Sequence, residues 1–246
     1  MNESPANEPT SYDRVPYKSH PFQQAHPDRM ATIATLFGMQ PAPVESCRVL
    51  ELGCASGGNL LPMADQFPES RFLGIDASSR QIADGRELLA ESSVKNVELR
   101  CQDILKFESD QPFDYIICHG VYSWVPDQVR EKILDICRQF LTPQGVAYVS
   151  YNTYPGWHMK GMIRDIMRFR GQSFDDPRQK LDQARGLLAF LSNSVKGENN
   201  PYGLLLKQEL ESIGRKDDPI YFTNTWKTSM SRSISINLPS GQNNPS

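Results

Sequence analysis

An apolar run that ends in a cluster of small residues limits the fold of this chain more than any other stretch. It reads RVLELGCASGGNL and covers residues 48–60. The branched, apolar start is typical of a buried parallel strand, and the small residues that follow stop it. A helix then begins, so backbone amides and the positive end of that helix meet at the end of the strand. A ligand can approach the main chain closely at such a turn, because large side chains are missing there.

The same order of strand and helix patterns is repeated over the next hundred or so residues. The strand patterns cover residues 48–54, 71–77, 97–104, 113–121 and 146–153. We interpret this as five strands alternating with four helices, with TPQG at 142–145 ending the last helix before the fifth strand. Since parallel neighbours need crossover helices, the pattern predicts an α/β fold with a Rossmann-like, doubly wound parallel sheet. Such sheets bind ligands at the carboxyl ends of their strands.

Changes of pattern divide the chain into four segments. Residues 1–46 are predicted to form an N-terminal arm with a lid helix, and residues 47–155 the α/β core. Residues 156–222 are predicted to form a helical C-terminal extension, because apolar residues recur there at three- and four-residue steps. Residues 223–246 are rich in Ser, Asn, Thr and Pro and show no periodicity, so we expect a disordered tail.

Charge and composition argue against several classes of function. The net charge of -3 and the pI near 5.8 provide no basic excess for nonspecific nucleic-acid binding. The chain starts with polar residues, and no later run approaches the length of a membrane span, so we expect a cytoplasmic protein without membrane insertion. The spacing of the five cysteines and four histidines matches no metal site, so no metal is expected.

The turn of small residues fits two classes of cofactor. A dinucleotide motif, G-x-G-x-x-G/A, would match Gly53, Ala55 and Gly58, with alanine in place of its second glycine. Class I S-adenosylmethionine-dependent methyltransferases carry an acidic residue followed by G-x-G-x-G, which here becomes Glu51, Gly53, Ala55 and Gly57. The turn alone leaves both classes open.

Two acidic residues at later strand ends help to choose between these cofactors. Asp76 ends the second strand, where a carboxylate accepts both ribose hydroxyls in either kind of cofactor. Asp103 ends the third strand, where methyltransferases of this class use an acidic residue for the adenine amino group, with the next residue, Ile104, against the ring. The combination favours S-adenosylmethionine. The predicted cofactor-binding residues are Glu51, Gly53, Ala55, Gly57, Gly58, Asn59, Asp76, Ala77, Asp103, Ile104 and His119.

Longer phrases of the sequence resemble one bacterial family. Class I methyltransferases of bacteria that carry a regulatory domain are similar to this chain over residues 12–222, in the phrases YDRVPYKSHPFQQAHPDRMATIATLFGM, CRVLELGCASGGNLLPMADQFP, GIDASSRQI, FDYIICHGVYSWVP and YNTYPGWHMKGMIRDIM. That group is similar to the bacterial protein-lysine methyltransferases of outer-membrane proteins. The resemblance implies methyl transfer from S-adenosylmethionine to a protein side-chain amine, that of lysine, and therefore a protein partner.

The far end of the chain departs from this family. Class I folds finish with an antiparallel strand pair, and no sequence of that kind follows Tyr221. We therefore expect a sheet without its closing β-hairpin. A second function remains open on this basis: a truncated cofactor-binding pseudoenzyme or fragment without turnover.

Residues near the fourth and fifth strand ends are candidates for the acceptor side of the site. His119 follows the fourth strand, and its imidazole can contact the cofactor or accept a proton. Together with Tyr17 and Tyr151 it is a candidate catalytic residue. Aromatic side chains suit both a cationic sulfonium and a lysine chain. Those expected around the site are Tyr12, Tyr17, Tyr122, Trp124, Tyr151, Tyr154 and Trp157.

Overall fold

The computed structural model describes residues 19–195 and 200–215. The strands in these ranges are β1 (Arg48–Leu52), β2 (Arg71–Asp76), β3 (Val97–Cys101), β4 (Phe113–Cys118) and β5 (Leu141–Val149). The α-helices are α1 (Pro27–Leu36), α2 (Leu60–Gln66), α3 (Ser79–Glu91), α4 (Asp127–Phe140), α5 (Gly156–Gly171), α6 (Pro177–Ser194) and α7 (Pro201–Arg215). The tail predicted to be disordered, residues 223–246, lies outside the described residues, as do Tyr12 and Tyr17.

All five strands run parallel, in the order β3-β2-β1-β4-β5. The chain builds the sheet outward from β1 to β3 and then crosses back to add β4 and β5 on the other side of β1. The carboxyl ends of β1 and β4 therefore flank the switch point where such sheets bind ligands. The predicted doubly wound sheet is confirmed. In the described part of the chain no strand pairs with the outer edge of β5, where a closing hairpin would lie.

Alternating side chains bury both faces of the sheet. Val49 of β1 packs on one face with Leu60 of α2, and Leu50 packs on the other face with Ile133 of α4; all four are fully buried. Successive residues of a strand point to opposite faces, so a mostly apolar run is needed when helices cover both faces. Burial of each such side chain stabilises the fold by about 1.5–3 kcal/mol.

Two connections differ from the prediction. Between β3 and β4 the chain forms only a single 3-10 turn, Ile104–Lys106, and not an α-helix. Residues 102–112 are few and mostly polar, and the crossing is held to the core by Phe107, which is fully buried. A fifth strand starting at Val146 is also wrong, because β5 begins at Leu141. Leu141 pairs with Phe113 and Val146 with Tyr115, so TPQG forms a bulge inside the strand.

The three C-terminal helices pack on one another around a core of their own. Its buried members are Ile163, Met167, Leu181, Ala184, Leu188, Leu206 and Ile213. This confirms the predicted helical extension after the sheet. No helix within residues 19–195 and 200–215 is both long and apolar enough to cross a membrane.

Candidate active site

A cavity of about 460 Å³ lies along the carboxyl edge of the sheet. Every strand contributes a residue from its end or from the loop that follows it: Glu51, Asp76, Asp103, His119 and Asn152. Neighbouring strands lie about 4.8 Å apart, so the row from β3 to β5 extends over about 19 Å. This volume is typical of a site for a cofactor or a small-molecule ligand.

The turn after β1 is fixed to β2 by main-chain hydrogen bonds. The N–H groups of Gly53 and Cys54 donate to the carbonyl oxygen of Ile75 at 2.8 and 3.0 Å. Gly53 has a φ of +76°, and a Cβ there would lie 2.5 Å from Cγ2 of Val121. Ala55 also has a positive φ, 49°, which costs a residue with a Cβ about 1 kcal/mol. The turn therefore holds a tight, partly strained shape at the cavity wall.

Asp76 is held in place by two main-chain donors. The Ala55 N–H donates to Oδ2 and the Ser78 N–H to Oδ1, both at 2.9 Å. Because a carboxylate oxygen can accept more than one hydrogen bond, an oriented Asp76 can also accept from the hydroxyls of a ligand. The geometry thus presents a fixed bidentate acceptor to the cavity.

Glu51 is a deeply buried acid, with 3% of its surface exposed. Its Oε1 accepts a hydrogen bond of 2.8 Å from Asn59 Nδ2, whereas Oε2 is buried and has no hydrogen-bond partner among the described residues. Burial raises the pKa of Glu51 to about 8; the hydrogen bond from Asn59 opposes this effect and the charge of Asp76 adds to it. A buried acceptor without a partner is costly, so Oε2 marks a position for a donor supplied by a ligand.

An apolar wall lies beside Asp103. Asp103 Oδ1 accepts a hydrogen bond of 2.9 Å from the Leu105 N–H, which fixes the side chain at the start of the 3-10 turn. Ile104 lines the cavity together with Val125 and Val129, and all three also pack on the core beneath α4. Such a surface suits a flat ring, with a hydrogen-bond acceptor at its margin.

The segment Ser19–Ala25, which we call the strap, lies against the turn after β1. Its Ser19 and Phe22 line the cavity. The ring of Phe22 lies 3.8 Å from that of His119, measured between centroids, and His119 Nδ1 lies 3.3 Å from the Tyr148 hydroxyl. Burial lowers the pKa of His119 below its ordinary value of 6.5. The imidazole is therefore neutral at pH 7 and can accept a proton.

Two tryptophans line the cavity and contact each other. The rings of Trp124 and Trp157 meet edge to face, with centroids 5.8 Å apart. The Trp157 Nε1 atom is buried and has no hydrogen-bond partner in the described part of the chain. Tyr122, Tyr151 and Tyr154, which were expected around the site, do not line the cavity.

Nine of the eleven predicted cofactor-binding residues line the cavity, whereas Gly57 and Gly58 do not. A Cβ at Gly57 would lie 2.8 Å from Leu61 Cδ1, and one at Gly58 would lie 2.6 Å from the Ser19 carbonyl oxygen. Packing of α2 against Gly57 and of the strap residue Ser19 against Gly58 accounts for the missing side chains at these two positions. The catalytic candidate Tyr151 lies outside the cavity lining, and Tyr17 lies outside the described residues.

Other cavity residues were not found from the sequence. Asn152 follows β5, and a systematic look at all five strand ends would have found it. The N-terminal arm has no motif that assigns single residues to the site. The missed residues include Ser19, Phe22, Gln81, Val125, Val129 and Asn152.

The cavity wall, as far as the structure describes it, contains three carboxyl groups and no lysine or arginine. In the same ranges no group of three or more His, Cys, Asp and Glu side chains is placed to hold a metal ion. The arrangement therefore favours a ligand that carries positive charge and hydroxyl groups.

Comparison with known proteins agrees with this arrangement. A family model described as a methyltransferase domain matches residues 43–184. The uncharacterized protein RP028 of Rickettsia prowazekii is 42% identical over 209 residues, which are 85% of this chain and 84% of that protein. The uncharacterized protein RP789 of the same organism is 43% identical over 84% of this chain and 38% of its own length. The structure of PKMT2 from Rickettsia typhi in complex with AdoHcy is 40% identical with a TM-score of 0.77, over 88% of this chain and 42% of that one.

The chain thus spans about two fifths of the length of RP789 and of PKMT2. The match to the family model includes all five strands and therefore the whole row of strand ends around the cavity. AdoHcy, S-adenosylhomocysteine, is the product that S-adenosylmethionine leaves after it has given up its methyl group. The chain belongs to the methyltransferase-domain family and is a class I S-adenosylmethionine-dependent methyltransferase.

Proposed function

We propose that this chain transfers a methyl group from S-adenosylmethionine to the side-chain amine of a lysine in a protein substrate. The observation that carries the proposal is the buried Nε1 of Trp157, which lies beside Trp124 in the cavity wall and has no hydrogen-bond partner within residues 19–195 and 200–215. An indole N–H only donates, so it suits a carbonyl oxygen, such as that of a peptide backbone. The similarity to PKMT2 supports a protein acceptor as well.

In this proposal each of the three acidic residues of the cavity binds a different part of the cofactor. Glu51 Oε2, which no described residue contacts by a hydrogen bond, accepts from the ammonium group of the cofactor, and the fixed carboxylate of Asp76 accepts from the ribose hydroxyls. Asp103 accepts from the adenine amino group, while Ile104 packs on the ring. When bound, the cofactor would supply a sulfonium methyl group: a neutral amine would form a bond to the methyl carbon as the carbon–sulfur bond breaks and S-adenosylhomocysteine leaves. The cavity volume and its orphaned buried oxygen fit such a group.

In this proposal the substrate lysine, which accepts the methyl group, lies near the carboxyl ends of β4 and β5. The aliphatic part of a lysine side chain packs on the rings of Trp124 and Trp157, which are large apolar surfaces. Its nitrogen must be neutral to attack, so a proton has to leave it before or during transfer. His119 lines the cavity, and its lowered pKa makes it a neutral acceptor for that proton.

Methyl transfer is tested with cofactor that carries a radiolabelled methyl group and with bacterial outer-membrane proteins as acceptors. Wild-type protein is expected to label lysine, identified as methyl-lysine by mass spectrometry of the digested product. Asp76→Asn, which removes the charged acceptor for the ribose, is expected to reduce the label at least tenfold, by loss of about 1.5–3 kcal/mol. Asp84→Asn, an exposed position on α3, is the matched control and retains the label.

Two results would contradict the proposal. Label found on carboxyl groups or on small molecules, and not on lysine, would assign another acceptor. Tight AdoHcy binding without transfer to any protein would favour the alternative, a cofactor-binding fragment without turnover. The unpaired outer edge of β5 in the described residues is the observation that keeps this alternative in view.

A further inference from the structure

The strap and the buried carboxyl of Glu51 are joined through one side chain, Asn59. Asn59 is 3% exposed, and both ends of its amide are used. Its Nδ2 donates to Glu51 Oε1 at 2.8 Å, and its Oδ1 accepts from the Phe22 N–H at 2.9 Å. The amide therefore forms a two-bond path from the carboxyl to the main chain of the strap.

This path has only one favourable orientation. If the Asn59 amide were flipped, its oxygen would face the oxygen of Glu51 and its NH2 group would face the N–H of Phe22. Both hydrogen bonds would be lost, because an acceptor would meet an acceptor and a donor would meet a donor. A stronger hydrogen bond from Asn59 Nδ2 to Glu51 therefore also holds Asn59 Oδ1 toward the strap.

The strap has a second attachment at the neighbouring residue. The Gly58 N–H donates to Ser19 Oγ at 3.0 Å, and a Cβ at position 58 would lie 2.6 Å from the Ser19 carbonyl oxygen. The absence of a side chain at Gly58 is thus what allows the strap to lie on the turn. The strap then places the Phe22 ring against His119, 3.8 Å away between centroids. Ala25, at the other end of the strap, is fully buried in the core.

We propose that Asn59 is a positioning residue that couples a cationic ligand group at Glu51 Oε2 to closure of the strap, residues 19–25, over the cofactor. A ligand ammonium at Oε2 holds Glu51 in its ionised form. Hydrogen bonds to an ionised acceptor are about twice as strong as those between neutral groups, so the bond from Asn59 tightens when the ligand binds. Burial raises the pKa of Glu51, which is consistent with this role, because a cationic group at Oε2 would favour the ionised carboxylate.

The coupling is tested by hydrogen exchange of the strap with and without AdoHcy, and by the AdoHcy dissociation rate. Lysine methylation is not needed for either readout, so the proposal rests only on cofactor binding and can fail independently of the acceptor proposed above. In the wild type, AdoHcy is expected to slow exchange of the strap amides about tenfold, as a coupling of ordinary size would.

Asn59→Asp keeps the acceptor for the Phe22 N–H but removes the donor to Glu51. The strap of this variant is expected to exchange as in the ligand-free wild type, and AdoHcy is expected to add no further protection. A merely structural Asn59 would lower protection equally with and without ligand. Asn96→Asp is the matched control: Asn96 Nδ2 donates to three carbonyl oxygens away from the cavity, so its loss should leave the ligand-dependent protection unchanged.

Gly58→Ala provides an independent variant if Asn59→Asp does not fold. Its φ lies outside the left-handed region, so alanine is tolerated by the backbone, and the three atoms nearest to the added Cβ all belong to Ser19 of the strap. We expect AdoHcy to bind and to dissociate about five- to tenfold faster. Equal ligand-dependent protection in the wild type and Asn59→Asp would overturn the proposal. So would a strap that AdoHcy leaves unprotected in the wild type, or a dissociation rate that Gly58→Ala leaves unchanged.

Discussion

Replacement of Glu51 by glutamine is the perturbation from which the structure makes its sharpest energetic prediction. Glutamine has the shape of the protonated acid and can still accept from Asn59 Nδ2, but it cannot ionise. The folded protein raises the pKa of Glu51 from 4.5 to about 8, chiefly by burial. Between these two values the folded protein holds a proton that the unfolded chain has released. The free energy of unfolding therefore falls as the pH rises through this window.

The size of the effect follows from the width of the window. At pH 7 the unfolded carboxyl lies about 2.5 pH units above its own pKa, and each unit corresponds to about 1.4 kcal/mol. Wild-type protein without cofactor should thus lose about 3 kcal/mol between pH 4.5 and pH 7, relative to Glu51→Gln. The loss levels off above pH 8. His119 acts with the opposite sign, because burial lowers its pKa, but it is present in both proteins and cancels in the difference.

Urea unfolding of both proteins at pH 5, 6, 7 and 8 measures this difference directly. As the pH rises, the free energy of unfolding of Glu51→Gln is expected to exceed that of the wild type by an increasing amount. Glu98→Gln is the control, because the hydrogen bond from Arg100 lowers the pKa of Glu98 and places its titration below this range. If the pH profiles of the wild type and Glu51→Gln run parallel from pH 5 to 8, the assignment of a raised pKa to Glu51 is refuted.

Three further substitutions test other parts of the site. Gly57→Val should lower the free energy of unfolding in urea by more than about 2 kcal/mol, because it combines a positive φ with a clash against Leu61 Cδ1; an unchanged midpoint would contradict the packing described for this glycine. Asp76→Asn should weaken AdoHcy binding in calorimetry at least tenfold, a loss of about 1.5–3 kcal/mol; unaltered affinity would remove Asp76 from the cofactor site. Trp157→Phe keeps an aromatic ring, although a smaller one, but removes the indole N–H, so we expect kcat/KM for a protein acceptor to fall about tenfold while AdoHcy affinity stays the same. Equal loss of both would place Trp157 at the cofactor.

The sheet could be predicted from the sequence because apolar residues dominate its strands and because acidic residues stand at or just after the carboxyl ends of β2 and β3. Asp76 and Asp103 reach the cavity for that reason, since parallel strands bring their carboxyl ends to one edge. The bulge in β5 could not be predicted, because TPQG has the composition of a turn and only its pairing with β4 shows that the strand continues through it.

The glycines show a second limit of prediction. Gly53 and Gly57 both have a positive φ, near +77°, and look alike in the sequence, yet only Gly53 lines the cavity. What distinguishes them is the neighbour of the missing Cβ, which is set by tertiary packing. The contacts of Ser19 and Phe22 with the turn are equally long-range, and no local pattern encodes them.

The contact between Ser19 and Gly58 also has a consequence for cofactor selectivity. A dinucleotide rests its pyrophosphate on main-chain N–H groups of the turn after β1. Here the Gly58 N–H already donates to the hydroxyl of Ser19, and the carboxyl groups of Asp76 and Asp103 lie in the same cavity. A phosphate would have to displace the chain's own serine and then face two acids. The strap and the two acids thus disfavour a phosphorylated nucleotide at this turn relative to a nucleoside with a cationic tail.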